Sequence, residues 1–194
     1  MAVPEFKIRA ATENDISQVH AIYSHYVANT VLTFMQTTPP LQSMLDKFKT
    51  NTESRRLPYL VAVDKSNDKT VLGFAYLSPF RGTMFSYGPT VELTIFLSPE
   101  YKQNGIGSYL LAELLSKVQS GGKEHVAQHR AVEHAGYNGH ETHSEPMPIR
   151  NILACMALDP DGRDQGEGLR KWYEQRGFVE RGRLKGAGLK KGKW

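Results

Sequence analysis

The sequence is short of cysteine, of long apolar runs, and of acid at its carboxyl-terminal end. A single cysteine, Cys155, excludes an internal disulfide framework. The longest apolar runs are only a few residues, too short to cross a bilayer. The amino-terminal MAVPEFKIRAATEND lacks the charged-then-apolar layout of a secretory leader, so a cytosolic protein outside the membrane is expected. From Arg181 to Trp194 there is no acid but six bases: Arg181, Arg183, Lys185, Lys190, Lys191 and Lys193. Subtracting those six from the net charge of +4 leaves −2 for the remainder. The basicity is local. It suits a local anionic partner rather than a nucleic-acid-binding face, and a solvated basic end is the plain alternative. At 194 residues, 40% apolar and 23% charged, the chain fits one soluble globular domain with a real core.

Strands and helices mix along this single domain. FKIRAA reads as a first strand, and Thr12 stands where a helix N-cap belongs, with Glu13 and Asp15 in the first turn. Ile16, Val19, Ile22, Tyr23 and Tyr26 follow at helical spacing, and Pro39 and Pro40 open a second helix. PYLVAV and VLGFAYLSPF form a hairpin across a polar turn. TVELTIFL is apolar almost throughout, as a central strand should be, with Glu92 the exception. A helix carrying Ile106, Leu110, Leu111, Leu114 and Leu115 follows. Residues 120–149 are polar and rich in glycine and histidine, and read as an inserted, partly disordered loop. RNILACMAL is another strand, LRKWYEQR a helix ended by Gly177, and FVERGRL a late strand. The fold class is mixed α/β.

The junction YKQNGIGSYLL joins strand to helix through Gly105 and Gly107. It is neither a P-loop, which needs Gly-Lys-Ser/Thr, nor a Rossmann fingerprint, which needs three glycines. Glycines here let an anion approach the first-turn amides of the helix, where partners are missing and the dipole is positive. Two glycines alone fit a merely tight turn equally well. This stretch resembles the acyl-CoA pyrophosphate loop of the GNAT superfamily of acetyl-CoA-dependent N-acyltransferases, Arg/Gln-x-x-Gly-x-Gly/Ala, with Lys102 in place of the usual Arg or Gln. IYSHYVANTVLTF, PYLVAV, GFAYLSPF, TVELTIFLSPEYKQNGIG and WYEQRGFVERGRLKGAGLKKGKW narrow the resemblance to phosphinothricin N-acetyltransferases.

The resemblance implies a single GNAT domain over residues 1–194, with a mixed central sheet flanked by helices. It also implies acetyl-CoA as co-substrate and direct transfer to the primary amine of a small molecule such as phosphinothricin or methionine sulfoximine. Such transfer needs a neutral amine, although alkyl amines titrate near 10, and so calls for a base. It also needs a donor to the oxyanion, help for the leaving thiolate, and two substrates held together. Glu92 matches the family's catalytic glutamate, and Tyr173 fits the acid; residue types alone would equally allow a structural glutamate and a core tyrosine. Thr94, Ile95, Phe96 and Leu97 would present backbone to the pantetheine arm, where the family's strand parts from its neighbour. The amides of Gln103, Asn104, Gly105, Ile106, Gly107 and Ser108 would take the diphosphate, with Lys102 also at the coenzyme site. Tyr26, Phe34, Tyr87 and Lys190 would face the acceptor.

The resemblance further implies a homodimer. Gly88 stands where the family often has arginine and Gly166 where it usually has asparagine, and the family continues past the position of Trp194 with a final strand. Two rival readings stay open: a GNAT enzyme for another amine (a polyamine, an aminoglycoside or a protein amine), or an acyl-CoA-binding module without chemistry. No metal is expected. His125 and His129 have the i, i+4 spacing that would put two ligands on one face of a helix, but the remaining histidines of the insertion are irregularly placed. Cys155 reads as a small core residue.

Overall fold

A computed structural model describes residues 5–82, 84–102, 104–120, 124–130 and 142–193. These fall into two compact units. One takes the chain up to Ile22 with Pro40–Ala154, the other Tyr23–Pro39 with the chain from Cys155 on.

The first unit is built on a five-stranded sheet. Its strands are β1 (Phe6–Ala10), β2 (Tyr59–Asp64), β3 (Val71–Pro79), β4 (Thr90–Leu97) and β7 (Asn151–Leu153), in that spatial order. Each pairing is antiparallel except β4 with β7, which is parallel. FKIRAA, PYLVAV, VLGFAYLSPF and TVELTIFL form strands where alternation and apolar runs place them, whereas RNILACMAL is a strand only over Asn151–Leu153, and TVELTIFL lies one place off the centre of the sheet. β3, buried from Val71 to Ser78, is the central strand. Helix α1 (Ile16–Asn29) starts after a short 3-10 turn. There Asp15 accepts from the Thr12 amide at 2.7 Å and is gripped by Arg9 through both guanidinium nitrogens at 2.8 and 2.9 Å.

Register assigns the two sheet faces. Ala75 opposes Ile95 and Leu77 opposes Leu93 on one face; Phe74 opposes Phe96, Tyr76 opposes Thr94 and Ser78 opposes Glu92 on the other. Helix α3 (Ile106–Ser120) covers the first face. It buries Ile106, Leu110, Leu111, Leu114 and Val118, a stripe at helical period, and sets Tyr109 edge-on to Phe6 of β1. Helix α2 (Leu41–Lys49) covers the second face, with Phe48 edge-on to Tyr59 and the Lys47 ammonium 3.0 Å from the Tyr76 hydroxyl.

The inserted segment departs from its expected loop. Glu124–Arg130 (β5) and Thr142–Pro148 (β6) pair antiparallel as a separate two-stranded sheet. Buried His125 and Ala127 alternate with the more exposed Glu124 and Val126, a period of two that the polar composition obscures. Pro146 and Pro148 on β6 argue against a strand in sequence, but a two-stranded ribbon has outer edges where a missing N–H is tolerated. Because β5 is a strand, four residues separate His125 from His129 by about 13 Å, and the helical two-ligand geometry does not exist. His134 and His140 lie outside the described residues.

The second unit holds the end of α1, the loop through Pro39, and helix α4 (Glu167–Glu174). FVERGRL forms no strand: no described residue ladders with it, and Val179 and Leu184 are exposed. Ion pairs fix it instead. Arg183 binds Glu167 and Glu180, each at 2.6 Å. Hydrogen bonds from Arg183 and Arg170 hold the Glu167 carboxyl down at about 2. Cys155 is exposed rather than buried, because the strand before it ends at Leu153.

Candidate active site

Glu92 lies where β4 loses one neighbour. The β4–β7 ladder has three rungs, Thr90–Asn151, Val91–Ile152 and Glu92–Leu153. β4 runs on to Leu97 still paired with β3, while β7 has ended. The last shared rung is thus at the acid, and Leu93–Leu97, which includes the Thr94–Leu97 expected to part from its neighbour, pairs with β3 alone among the described strands. Glu92 is half-buried, on the face that carries Tyr76, Phe74 and Phe96. Those rings, with Tyr59, form a stacked layer: Tyr59 and Tyr76 are 4.5 Å apart at 17°, and Phe74 lies 5.9 Å from Phe96. Thr94 and Phe96 share this face, whereas Ile95 points to the α3 side.

The glycine turn forms as the sequence implies. A 3-10 turn at Pro99–Tyr101 leaves β4, and Gly105 adopts φ +79°, a conformation that costs an L side chain about 1–2 kcal/mol. The Gly105 carbonyl accepts from the Ser108 and Tyr109 amides at 2.9 and 3.2 Å and so starts α3. Ile106 and Gly107, the first two helical residues, direct their amides ahead of the helix. The Ser108 amide is committed within the turn. Gln103 lies outside the described residues.

Tyr87 sits in a second short turn, Phe85–Tyr87, that leads into β4. Its ring meets Phe80 edge-on at 5.2 Å.

Three further candidates belong to the second unit. Phe34 is 68% exposed, an unusual state for phenylalanine. Lys190 is buried and donates to the Thr33 hydroxyl at 2.9 Å and the Thr33 carbonyl at 3.2 Å, next to Phe34. Burial, reinforced by the charge of Lys191, lowers its pKa. Lys190 thus anchors the loop bearing Phe34. Tyr26 is buried, and its carbonyl accepts from the Thr30 amide and hydroxyl.

Tyr173, also in this unit, packs edge-on against Trp172 and Phe178 at 4.9 and 5.2 Å. Burial pushes its phenol up to about 12, so it stays protonated at neutral pH. A core tyrosine is the alternative that the sequence leaves open, and the burial found here comes with Phe178 packing back beyond Gly177. Among the described residues no group of three His, Cys, Asp or Glu side chains could hold a metal ion.

A strand that parts from its parallel neighbour at an acid, followed by a glycine turn into a helix, defines a GNAT acetyltransferase. The model of the Acetyltransferase (GNAT) family matches residues 19–137, more than half of the sequence, and the chain belongs to that family. Its relatives narrow the comparison. The phosphinothricin N-acetyltransferase of Streptomyces viridochromogenes is 26% identical over 190 residues, covering 97% of this chain and 82% of that protein. The enzyme of the same name from Alcaligenes faecalis is 26% identical over 187 residues, covering 96% and 77%. Among solved structures, a phosphinothricin acetyltransferase from Sinorhizobium meliloti in complex with acetyl-CoA superposes with a TM-score of 0.72. It is 28% identical, with 97% of this chain and 83% of that one covered. The chain is an N-acetyltransferase by family, and no helix among the described residues is long and apolar enough to cross a membrane.

Proposed function

We propose that this enzyme carries acetyl from acetyl-CoA directly to the primary amine of a small molecule of the phosphinothricin or methionine sulfoximine type. The observation that carries this reading is the end of the β4–β7 ladder at Glu92, just upstream of the glycine turn. The phosphinothricin acetyltransferases similar along nearly the whole chain support the choice of acceptor.

Each step has a residue. Amides of Asn104, Gly105, Ile106 and Gly107, with the helix dipole behind them, hold the diphosphate; Lys102 adds charge, and Ser108 contributes its hydroxyl. Backbone of Thr94–Leu97 lines the pantetheine arm and donates to the oxyanion. Glu92 accepts the ammonium proton, and the neutral nitrogen attacks the thioester carbonyl. The tetrahedral adduct collapses as the C–S bond breaks. The nitrogen gives up its second proton, which neutralises the departing thiolate to the coenzyme A thiol, and the proton on Glu92 passes to solvent. Tyr173 assists the sulfur, and its raised pKa refines that role. A phenol pushed up to about 12 is a weaker acid than a thiol (cysteine titrates near 8.5), so it stabilises the thiolate by hydrogen bonding and keeps its own proton. Tyr26, Phe34 and Tyr87 face the acceptor, with Lys190 holding the Phe34 loop. A cytosolic homodimer completes the proposal; a dimer in sedimentation equilibrium supports it and a monomer removes it.

The test is thiol release from acetyl-CoA against phosphinothricin, methionine sulfoximine, spermidine, an aminoglycoside and a peptide with N-terminal alanine. Turnover confined to the first two supports the reading. Preference for any of the others reassigns the acceptor, and binding of coenzyme without turnover leaves a silent module.

The coenzyme contact has its own prediction. Gly105→Ala weakens coenzyme A binding about 5- to 30-fold by calorimetry, because alanine resists the φ that aims the turn. Unchanged affinity removes this turn from the diphosphate site.

A further inference from the structure

Among the described residues, β5 and β6 meet the preceding part of the first unit at two places through hydrogen bonds. At the first, His125 is 2% exposed and its Nε2 lies 2.6 Å from the Gly88 carbonyl. A carbonyl only accepts, so the ring hydrogen is on Nε2 and His125 donates. Its Nδ1 is buried without a hydrogen-bond partner among the described residues, as suits a neutral ring. Burial pushes the imidazole pKa down; the bond to Gly88 opposes this and the charge of Arg55 adds to it. The backbone also meets closely here. A β-carbon at Gly88 would come within 3.1 Å of both Ala127 Cβ and Met147 Cε, and within 2.9 Å of the Phe85 carbonyl. Only glycine lets the hairpin seat on this turn.

At the second place, the Val126 amide donates to the Arg55 carbonyl at 3.0 Å, and Arg55 Nη1 lies 3.4 Å from the Val126 carbonyl. Arg55 follows the π-helical turn Thr50–Ser54 that ends α2, the helix on the aromatic face of the sheet. Immediately after the hairpin, the Arg150 and Asn151 amides donate to the Pro89 carbonyl at 2.8 and 3.1 Å. Two successive carbonyls, Gly88 and Pro89, are therefore held by the insertion and the residues that follow it. Thr90 opens β4 directly afterwards, and Glu92 comes two residues later. Tyr87 precedes Gly88 in the same turn.

We infer that the hairpin is a positioning element for the acceptor amine: through His125 and Gly88 it fixes the turn carrying Tyr87 and the first residues of β4. His125 touches neither substrate. It acts through the backbone that places Tyr87 and Glu92, and the inference rests on the reading that these two face the acceptor. The glycine turn that takes the coenzyme lies beyond the opposite end of β4, whose seven rises of about 3.3 Å span about 23 Å, so loss of the hairpin contact acts on the acceptor alone.

Steady-state kinetics of the full chain with acetyl-CoA and each amine of the panel above test this. Glutamine carries an amide nitrogen where histidine carries Nε2, and asparagine is one bond too short. His125→Asn raises the acceptor KM about tenfold and leaves the acetyl-CoA KM within about twofold, because the lost bond leaves the part-buried Gly88 carbonyl unpaired and loosens the turn. His125→Gln retains near-native values. Met147→Ala, which thins the packing on Gly88 without touching the hydrogen bond, raises the acceptor KM in the same direction and keeps the assay informative if His125→Asn does not fold. Parallel changes in both KM values, no change in either, or failure of His125→Gln to restore the acceptor KM overturns the inference while the proposed function stands. A native enzyme that turns over no amine overturns both.

Discussion

Replacing Glu92 by glutamine lowers turnover about 10²- to 10⁴-fold and leaves coenzyme A affinity unchanged. The substitution conserves shape and keeps a carbonyl oxygen, but an amide takes no proton at neutral pH. The size follows from the acceptor. An alkyl ammonium titrating near 10.4 is neutral in roughly one molecule in 10³ at pH 7, so a base that removes its proton in place recovers about that factor. The variant must draw on the neutral fraction in solution, and its rate rises about tenfold per pH unit towards pH 10, while the native rate rises less steeply. Glu92 stands where β7 leaves β4, and its side chain lies on the sheet face opposite α3. The glycine turn at Gly105, proposed to hold the coenzyme diphosphate, is beyond the far end of the strand, so binding and turnover are expected to separate. Thiol-release kinetics and calorimetry make the check. Native turnover in the variant rules Glu92 out as the base, and coupled loss of coenzyme binding points to a collapsed site.

Phe74→Ala destabilises the protein by about 3–5 kcal/mol, the usual range for emptying a buried phenylalanine site. Phe74 is fully buried at the middle of the central strand. Its ring lies 6.2 Å from Tyr76, 6.4 Å from Tyr59 and 5.9 Å from Phe96, so truncation removes the shared neighbour of three rings. Tyr59 and Tyr76 lie on strands paired on both sides and Phe96 on a strand held by β3, and these backbone ladders limit how far the rings can close the space. For a chain of this length the loss lowers the melting temperature by about 6–20 °C in a circular-dichroism melt. A shift below about 3 °C would mean that the layer repacks freely. Phe96 is only half-buried, so Phe96→Ala has the smaller effect.

Local signals carried much of the architecture. β4 spans Thr90–Leu97 as its apolar run predicts, because a run of β-branched and apolar residues broken only by Glu92 pairs along its whole length with β3. Helix α3 begins at Ile106, after a glycine at φ +79° that other residues would resist. The Thr12 cap and the Pro40 entry to α2 stand where residue chemistry puts them.

Other features depended on partners distant in sequence. FVERGRL has strand-like alternation, but a strand exists only where a neighbour accepts its hydrogen bonds; its fixed contacts are Arg183 with Glu167 and Glu180. The histidine-rich insertion has a loop's composition, yet His125 and Ala127 find cover against the Gly88 turn. Lys190 reads as a surface charge on a basic tail, and Thr33, far earlier in the chain, draws it inside.

The sequence alone determined the residue types that the chemistry requires and their order: an acid within an apolar strand, then two glycines opening a leucine-rich helix. These are properties of neighbouring residues, set by backbone sterics and side-chain periodicity. Tertiary structure decided that β7 follows β4 only as far as Glu92, that the acid lies on the aromatic face, and that an unpromising insertion becomes a hairpin seated on Gly88. Each of those outcomes is a pairing or a burial between segments tens of residues apart, and such contacts exist only once the sheet has assembled.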